Sequence, residues 1–327
     1  MSRLILVLAL VLLSLHGCAS SEAEAWFNMG LRAHSLDSKI YRYTKAIELD
    51  GDYAFAFNNR GLAYSDKGEY DLAITDYDRA IGLGSLSEHG VAQVLVDRGN
   101  AYGEKGQYDR AITDYSQAIR LKPDDANAFY NRGVTYERKG EYDRAIADYD
   151  EAIRLKPDYP TAYNNRGEAY RKTGEYDRAI ADYDRAIGLG ALSDHDLAFV
   201  LTNRGLAYRK KGEYDRAITD YDKAIELDPD YALAFNNKAW TLATASNAQA
   251  RDGREAVRLA REAMRLDDDP GFRDTLAAAY AEAGRFDDAV AEQERAIEML
   301  RAAGKHDKLA DLRSRLDLYR QHRPYRE

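Results

Sequence analysis

Small, apolar and polar positions return along this chain with two nested periods. In residues 129–157 the set Phe129, Gly133 and Tyr136 falls at i, i+4 and i+7, one stripe of a helix, and Ala145, Tyr149 and Ala152 repeat that spacing further on. Between the stripes stands Lys139-Gly140-Glu141, whose glycine suits a left-handed helix end. Pro157 closes the second stripe, because proline lacks an N–H donor and disfavours helical geometry in the residue before it. The pattern predicts a helical hairpin of about 34 residues.

The longer period is that of the hairpin itself. The glycines of five Asn-Arg-Gly or Asp-Arg-Gly triplets, Gly61, Gly99, Gly133, Gly167 and Gly205, are separated by 38, 34, 34 and 38 residues. Such a period predicts an array in which each unit contacts mainly its neighbours. Gly133, Ala145 and Ala152 let backbones approach. Tyr136, Tyr142 and Tyr149 are expected to fill the space between successive units, each burying roughly 150–250 Å². Three such tyrosines in each of five units make up 15 of the 25 in the chain, so the aromatic content reads as packing rather than a surface for stacking bases or sugars.

The order G-x-x-Y, G-x-Y-x-x-A, then alanine and proline, resembles the tetratricopeptide repeat. The resemblance covers residues 23–304, with five close repeats over about 54–231 and looser ones at both ends. Trp26 to Leu49 is similar to a first repeat with a shortened middle. Phe235 to Leu266 carries Ala239 and Leu242 in place of Gly and Tyr, with extra residues around Ser246 to Asp252. Ala277, Tyr280, Gly284, Phe286, Ala289 and Ala296 form a last repeat. The resemblance implies an all-α fold, a right-handed superhelical α-solenoid of about eight helix-turn-helix units. Residues 305–322, with an amphipathic stretch from Asp307 to Tyr319 carrying Leu309, Leu312 and Leu316, are expected to cap its open end.

Two further regularities appear when the repeats are compared with one another. The stretches from Ile81 and from Ile187 carry the same four-residue excess and lie 106 residues apart, as in a duplicated block of three repeats. Four residues are about one turn, so the helices near Ser87 and Ser193 are expected to start a turn early and to bulge at one rim. Arg60, Arg98, Arg132, Arg166 and Arg204 precede the five glycines, where the tetratricopeptide pattern usually has an apolar residue. The same repeats carry Asp76, Asp114, Asp148, Asp182 and Asp220 before the second-helix tyrosine. The end repeats have Met29, Lys238 and Leu276 with Arg42, Leu259 and Glu292 instead. This co-occurrence predicts an Arg–Asp pair between the two helices of a hairpin, either buried, at about 3 kcal/mol for loss of a partner, or a solvated pair worth about 0–1 kcal/mol.

The N-terminal residues have a different character. Arg3, an apolar run from Leu4 to Leu15 and then Gly17-Cys18 have the layout of a secretory signal over 1–17, too short to span a membrane. Leu15-His16-Gly17-Cys18 resembles a bacterial lipobox. That likeness implies a lipidated Cys18 followed by a short tether over 18–22. Cys18 is the only cysteine in the chain, so the body has no disulfide. More than one acyl chain would anchor it firmly. In the lipoproteins it resembles, an alanine such as Ala19 goes with the outer membrane, here facing the periplasm. Gly17-Cys18-Ala19 also reads as a small-residue site for ordinary signal cleavage, which would give a secreted protein.

Charge and chemistry narrow the function. Loss of residues 1–17 removes Arg3 and leaves 46 basic against 56 acidic side chains, a formal charge of −10, which argues against nucleic acid. No two of His16, His34, His89, His195, His306 and His322 have metal-ligand spacing on one helix, and there is no phosphate-binding glycine loop. Asp71, Asp109, Asp143, Asp177 and Asp215 suit the first turn of a second helix. No enzyme, metal or cofactor is expected.

The resemblance then implies a concave groove lined by the first helices. Its residues lie three before, one after and four after each glycine: Asn58, Leu62 and Ser65; Val96, Asn100 and Gly103; Tyr130, Val134 and Glu137; Asn164, Glu168 and Arg171; Thr202, Leu206 and Arg209; then Asn236 and Trp240. Asparagines can bond peptide backbone, and Tyr130, Leu206 and Trp240 can anchor a partner. The lysines by which related repeats grip a C-terminal carboxylate are replaced here by Asn, Val, Tyr and Thr. The expectation is a scaffold in the bacterial cell envelope for an extended peptide or protein, with a spacer or homo-oligomerising lipoprotein as the alternative.

Overall fold

The computed structural model describes residues 21–327, and the signal segment and Cys18 lie outside the described residues. The described residues divide into two compact units, with the boundary between Pro157 and Asp158. The first holds hairpins α1 (21–31) with α2 (Leu36–Leu49), α3 (Ala54–Asp66) with α4 (Tyr70–Gly82), α5 (Glu88–Glu104) with α6 (Tyr108–Leu121), and α7 (Ala126–Arg138) with α8 (Tyr142–Leu155). The second holds α9 (Pro160–Thr173) with α10 (Tyr176–Gly188), α11 (Asp194–Lys210) with α12 (Tyr214–Leu227), α13 (Ala232–Thr244) with α14 (Gly253–Leu266), and α15 (Pro270–Glu282) with α16 (Phe286–Ala302), followed by α17 (Leu309–Arg320). Each unit is thus a run of four stacked hairpins, an all-helical solenoid with no strand among the described residues. First helices adjoin first helices: α5 touches α3 and α7 in one unit, and α11 touches α9 and α13 in the other.

Each hairpin closes on its glycine. A Cβ on Gly133 would sit 2.8 Å from Cε1 of Tyr149, too close for any side chain but hydrogen, and Tyr149 is fully buried. The ring therefore lies inside its own hairpin rather than between hairpins; its cluster reaches the preceding repeat through Ile112. Tyr142 is only half-buried, so the expected filling of the inter-repeat space by all three tyrosines is not what forms. Gly140 adopts φ 76° after α7, the left-handed geometry expected of the turn.

The Arg–Asp pair is present in all five central repeats, and it is buried. Arg132 donates Nε and Nη2 to the two carboxylate oxygens of Asp148, both at 2.7 Å, and the Arg60, Arg98, Arg166 and Arg204 pairs have the same bidentate form at 2.6–2.8 Å. The Asp148 side chain is 8% exposed and that of Arg132 18%. Hydrogen bonding to Asp148 raises the arginine's affinity for its proton. The remaining arm reaches back one repeat: Arg132 Nη1 donates to Ser116 Oγ at 2.9 Å, Arg60 to Thr44 at 3.0 Å, and Arg98 and Arg204 pair with Asp78 and Asp184. One guanidinium thus closes its hairpin and ties it to the one before.

The insertions behave as their length requires. Ser87 and Ser193 cap the 17-residue helices α5 and α11 through Gly90 N–H and Asp196 N–H, so both start a turn early. The extra residues before α14 form a short 3₁₀ turn, Ala248–Ala250. The closing helix begins at Leu309, two residues beyond Asp307, and buries Leu309, Leu312, Leu316 and Tyr319. It also carries a contact no repeat predicts: Arg315 forks onto Asp274 of α15 at 2.9 Å twice, and Gln293 donates to the same carboxylate at 2.8 Å. Burial pushes the Asp274 carboxyl up, against the opposing pull of Arg315 and Gln293.

Candidate peptide-binding grooves

In the first unit the groove residues of two successive repeats come together. Asn100 and Gly103 of α5 and Tyr130 and Val134 of α7, with Tyr115 and Arg138, line a pocket of about 210 Å³. Asn100 Oδ1 accepts from Tyr115 Oη at 2.8 Å and Asn131 Nδ2 at 3.1 Å. Its amide is held in place with its remaining donors free of those two bonds. Tyr130 rests against Tyr149 at 5.9 Å, and Arg138 reaches Glu104 at 3.1 Å across the rim. Val96 is buried beneath this face, 6% exposed, and does not present a surface. Asn58 has a buried Oδ1 without a hydrogen-bond partner.

The second unit arranges its groove differently. Asn164 is buried and accepts from Asn203 Nδ2 at 3.2 Å; Arg171 pairs with Glu168 through Nε at 2.7 Å, and Tyr183 Oη donates to Glu168 at 3.4 Å. Thr202 is 2% exposed and its hydroxyl donates to Ala198 O at 2.8 Å, so it stays inside α11 and cannot meet a ligand. Leu206 and Asn236 are half-buried, and Asn236 Oδ1, like that of Asn58, lacks a partner. Arg209 and Trp240 face residues of the chain's own C-terminal segment: Glu327 lies 3.8 Å from Arg209 Nε, and the Tyr325 ring lies 5.9 Å from that of Trp240.

In four of the five central repeats the residue just after the glycine goes with the state of a core hydroxyl; in the fifth it is Val134, and Tyr149 Oη donates instead to Glu137 at 2.7 Å. Where it is Asn100 or Glu168, the buried tyrosine of the same repeat has a partner. Where it is Leu62 or Leu206, Tyr77 Oη and Tyr221 Oη are buried without one. Sequence reasoning did not connect groove and core, although the repeats carry the signal: Leu62, Asn100, Glu168 and Leu206 all stand at one register position. It also missed the lysines of the turns. Lys139 and Lys211 reach back to Asp109 and Asp177 of the preceding repeat at 2.7 and 2.6 Å, and Lys105 reaches Asp71 likewise. These aspartates do sit in the first turns of their helices, as expected, with a second role as rungs between repeats. Among the described residues no group of His, Cys, Asp and Glu is placed to hold a metal ion, and no helix is long and apolar enough to cross a membrane.

Family comparisons agree with this architecture. "TPR repeat" matches residues 99–140 and 138–174, and "Tetratricopeptide repeat" matches 54–83, 160–189, 198–231, 220–255 and 273–303, together more than half of the chain. The solved structure of YrrB, described as a TPR protein with an unusual peptide-binding site, is 26% identical, with a TM-score of 0.50 over 60% of this chain and 97% of that one. The C-terminal part of a TPR repeat-containing protein from Cytophaga hutchinsonii shares the fold, with 19% identity and a TM-score of 0.59 over 76% of this chain and 95% of that one. A probable UDP-N-acetylglucosamine–peptide N-acetylglucosaminyltransferase SPINDLY from Oryza sativa subsp. japonica is 40% identical over 48 residues; the match spans 15% of this chain and 5% of that protein's length. On its repeats, its hairpins and these matches, the chain belongs to the tetratricopeptide-repeat family.

Proposed function

We propose that this chain is a protein-interaction scaffold of the bacterial cell envelope that holds an extended peptide segment in the groove of its first unit. Tetratricopeptide repeats are generally protein-interaction scaffolds, and the similarity to YrrB, described as having an unusual peptide-binding site, supports the peptide reading. The observation that carries it is the pocket between α5 and α7. Asn100 is fixed by Tyr115 and Asn131, Tyr130 is braced on Tyr149, and together they offer amide chemistry beside an aromatic anchor. A preformed amide lowers the ordering cost of gripping a peptide backbone. The envelope setting rests on the sequence of residues 1–18, with Cys18 as the lipid-modified residue.

Peptides selected from a random display library against the full chain test this reading. Tyr130→Ala should weaken the selected peptides about tenfold or more; peptides indifferent to both Tyr130→Ala and Asn100→Ala would sink the groove. For the setting, Cys18→Ala should move the protein from the membrane fraction to the soluble one and abolish acyl labelling.

A second reading, self-association, is favoured by a separate observation. Of the eight exposed large apolar side chains among the described residues, Met29, Leu31, Tyr41, Leu49, Phe55 and Leu72 all belong to the first two hairpins. Concentration-dependent sedimentation that Tyr41→Ser with Phe55→Ser abolishes would support it.

A further inference from the structure

Glu327 and its neighbours do not trail away from α17. The helix ends at a left-handed residue, His322 with φ 54°, stacked on Phe286 at 5.1 Å, and Arg323 N–H returns to Leu318 O at 2.9 Å. After Pro324 the chain contacts α11, α13 and α15. Tyr325 packs beside Trp240, with the Arg315 guanidinium 5.5 Å from both rings. Arg326 donates to Ala243 O at 3.3 Å and pairs with Glu282 at 2.5 Å. Glu327 N–H donates to Thr244 O at 2.9 Å, and its carboxylate meets Lys210 at 2.8 Å and Arg209 at 3.8 Å. The last carbonyls of α13, which no helical N–H can satisfy, are thereby occupied.

These contacts are of the kind a bound peptide makes: one aromatic anchor, one backbone hydrogen bond, and a base and an acid each facing the opposite charge. They fall on Arg209 and Trp240, two positions of the expected groove. We propose that residues Tyr325 to Glu327 are a built-in occupant of the second unit's groove, held there until a partner segment with the same order, aromatic then basic then acidic, displaces them. This rests on the scaffold reading of the grooves and adds what the second groove selects and what keeps it closed. A tethered segment has a local concentration in the millimolar range, so only a partner that binds better than the tail, or a chain whose tail is weakened, opens the site.

Trp240 reports the state of the site once Trp26, the other tryptophan, is changed to Phe. In that background Tyr325→Ala in the full chain should shift Trp240 emission to the red and speed its quenching by acrylamide. A chain ending at Arg323 should do the same. Adding the octapeptide of residues 320–327 to the shortened chain at up to about millimolar concentration should reverse both effects, and the full chain should bind it at least about tenfold more weakly. A peptide of reversed sequence should do neither. Unchanged quenching in Tyr325→Ala, or equal octapeptide binding by full and shortened chains, overturns the proposal. Peptides selected on the first unit's groove keep their affinity in every one of these variants, so a loss of their binding counts against the scaffold reading and not against the tail.

Discussion

The two four-hairpin units share a core and differ on the groove face laid over it. Both have the Arg–Asp pair at 2.6–2.8 Å and the tyrosine ring on a glycine. Because the sequence repeats at 106 residues, equivalent positions can be compared within one molecule. Asn100 of the first unit corresponds to Leu206 of the second, Leu62 to Glu168, and the pair Asn58 and Asp97 to Asn164 and Asn203. Each exchange moves a hydrogen bond. Tyr115 has Asn100 while Tyr221 has no partner, Tyr183 has Glu168 while Tyr77 has none, and Asn164 has Asn203 while the oxygen of Asn58 is left bare. Variation at these positions is therefore not free of the fold, since each exchange also changes a hydrogen bond in the core beneath it.

The largest effect tests what the units share. Asp148→Ala and Asp220→Ala each leave a guanidinium mostly buried without its fork, and each should cost about 3 kcal/mol in urea unfolding. Asp148→Leu combined with Arg132→Met should cost much less than either single change, because no charge is then left buried. A loss below about 1 kcal/mol in either unit would make the pair a surface feature and remove the common core from the comparison.

How much of this was legible in the sequence follows the same division. Features that recur at every repeat could be read by setting one copy against another: the hairpins, the Arg–Asp pairs and the early starts at Ser87 and Ser193. The turn lysines recur as well, at Lys67, Lys105, Lys139 and Lys211, and were legible in principle. Contacts that occur once were not. Arg315 lies 41 residues from Asp274, and Arg326 lies 83 from Ala243, with no second copy to mark either pairing. The expected groove positions lie on first helices, but Val96, Asn164 and Thr202 are buried. All three stand three residues before their glycines, and Asn164 lies in α9, a helix of 14 residues, so that offset turns a side chain toward the core whatever the length of its helix.

The next effect separates the units by pH. Burial raises the Asp97 carboxyl from its ordinary 3.8 to about 6, with the Gln93 amide opposing the shift. A raised folded value means the stabilising contribution is complete below pH 3.8 and is lost as pH climbs through about 6. Its equivalent, Asn203, carries no such dependence. Asp97→Asn should therefore stabilise the chain by about 1–2 kcal/mol at pH 7.5 and make no difference near pH 4. Thermal melts across that range show the outcome, and parallel curves for the two proteins would refute it.

A gain of about 1 kcal/mol is expected from copying Asn100 into the second unit. Leu206→Asn places an amide where Tyr221 Oη, fully buried, has no partner, as Asn100 does for Tyr115. The reverse change, Asn100→Leu, should lose a similar amount and also weaken peptides in the first groove. If Leu206→Asn destabilises, the lost apolar contact outweighs the new hydrogen bond, and the coupling between groove and core is weaker than the paired positions indicate.

The smallest effect concerns the rungs between repeats. Lys139 to Asp109 in the first unit and Lys211 to Asp177 in the second are short, at 2.7 and 2.6 Å, but their aspartates are 88% and 84% exposed. Solvent and ions compete for both charges, and two flexible side chains must be ordered to form each pair. Lys139→Ala and Lys211→Ala should shift the urea midpoint by barely measurable and equal amounts, and about 1 M salt should erase the shift. A larger loss in one unit would mean that its rungs, and not only its arginine clamps, set how firmly successive hairpins hold together.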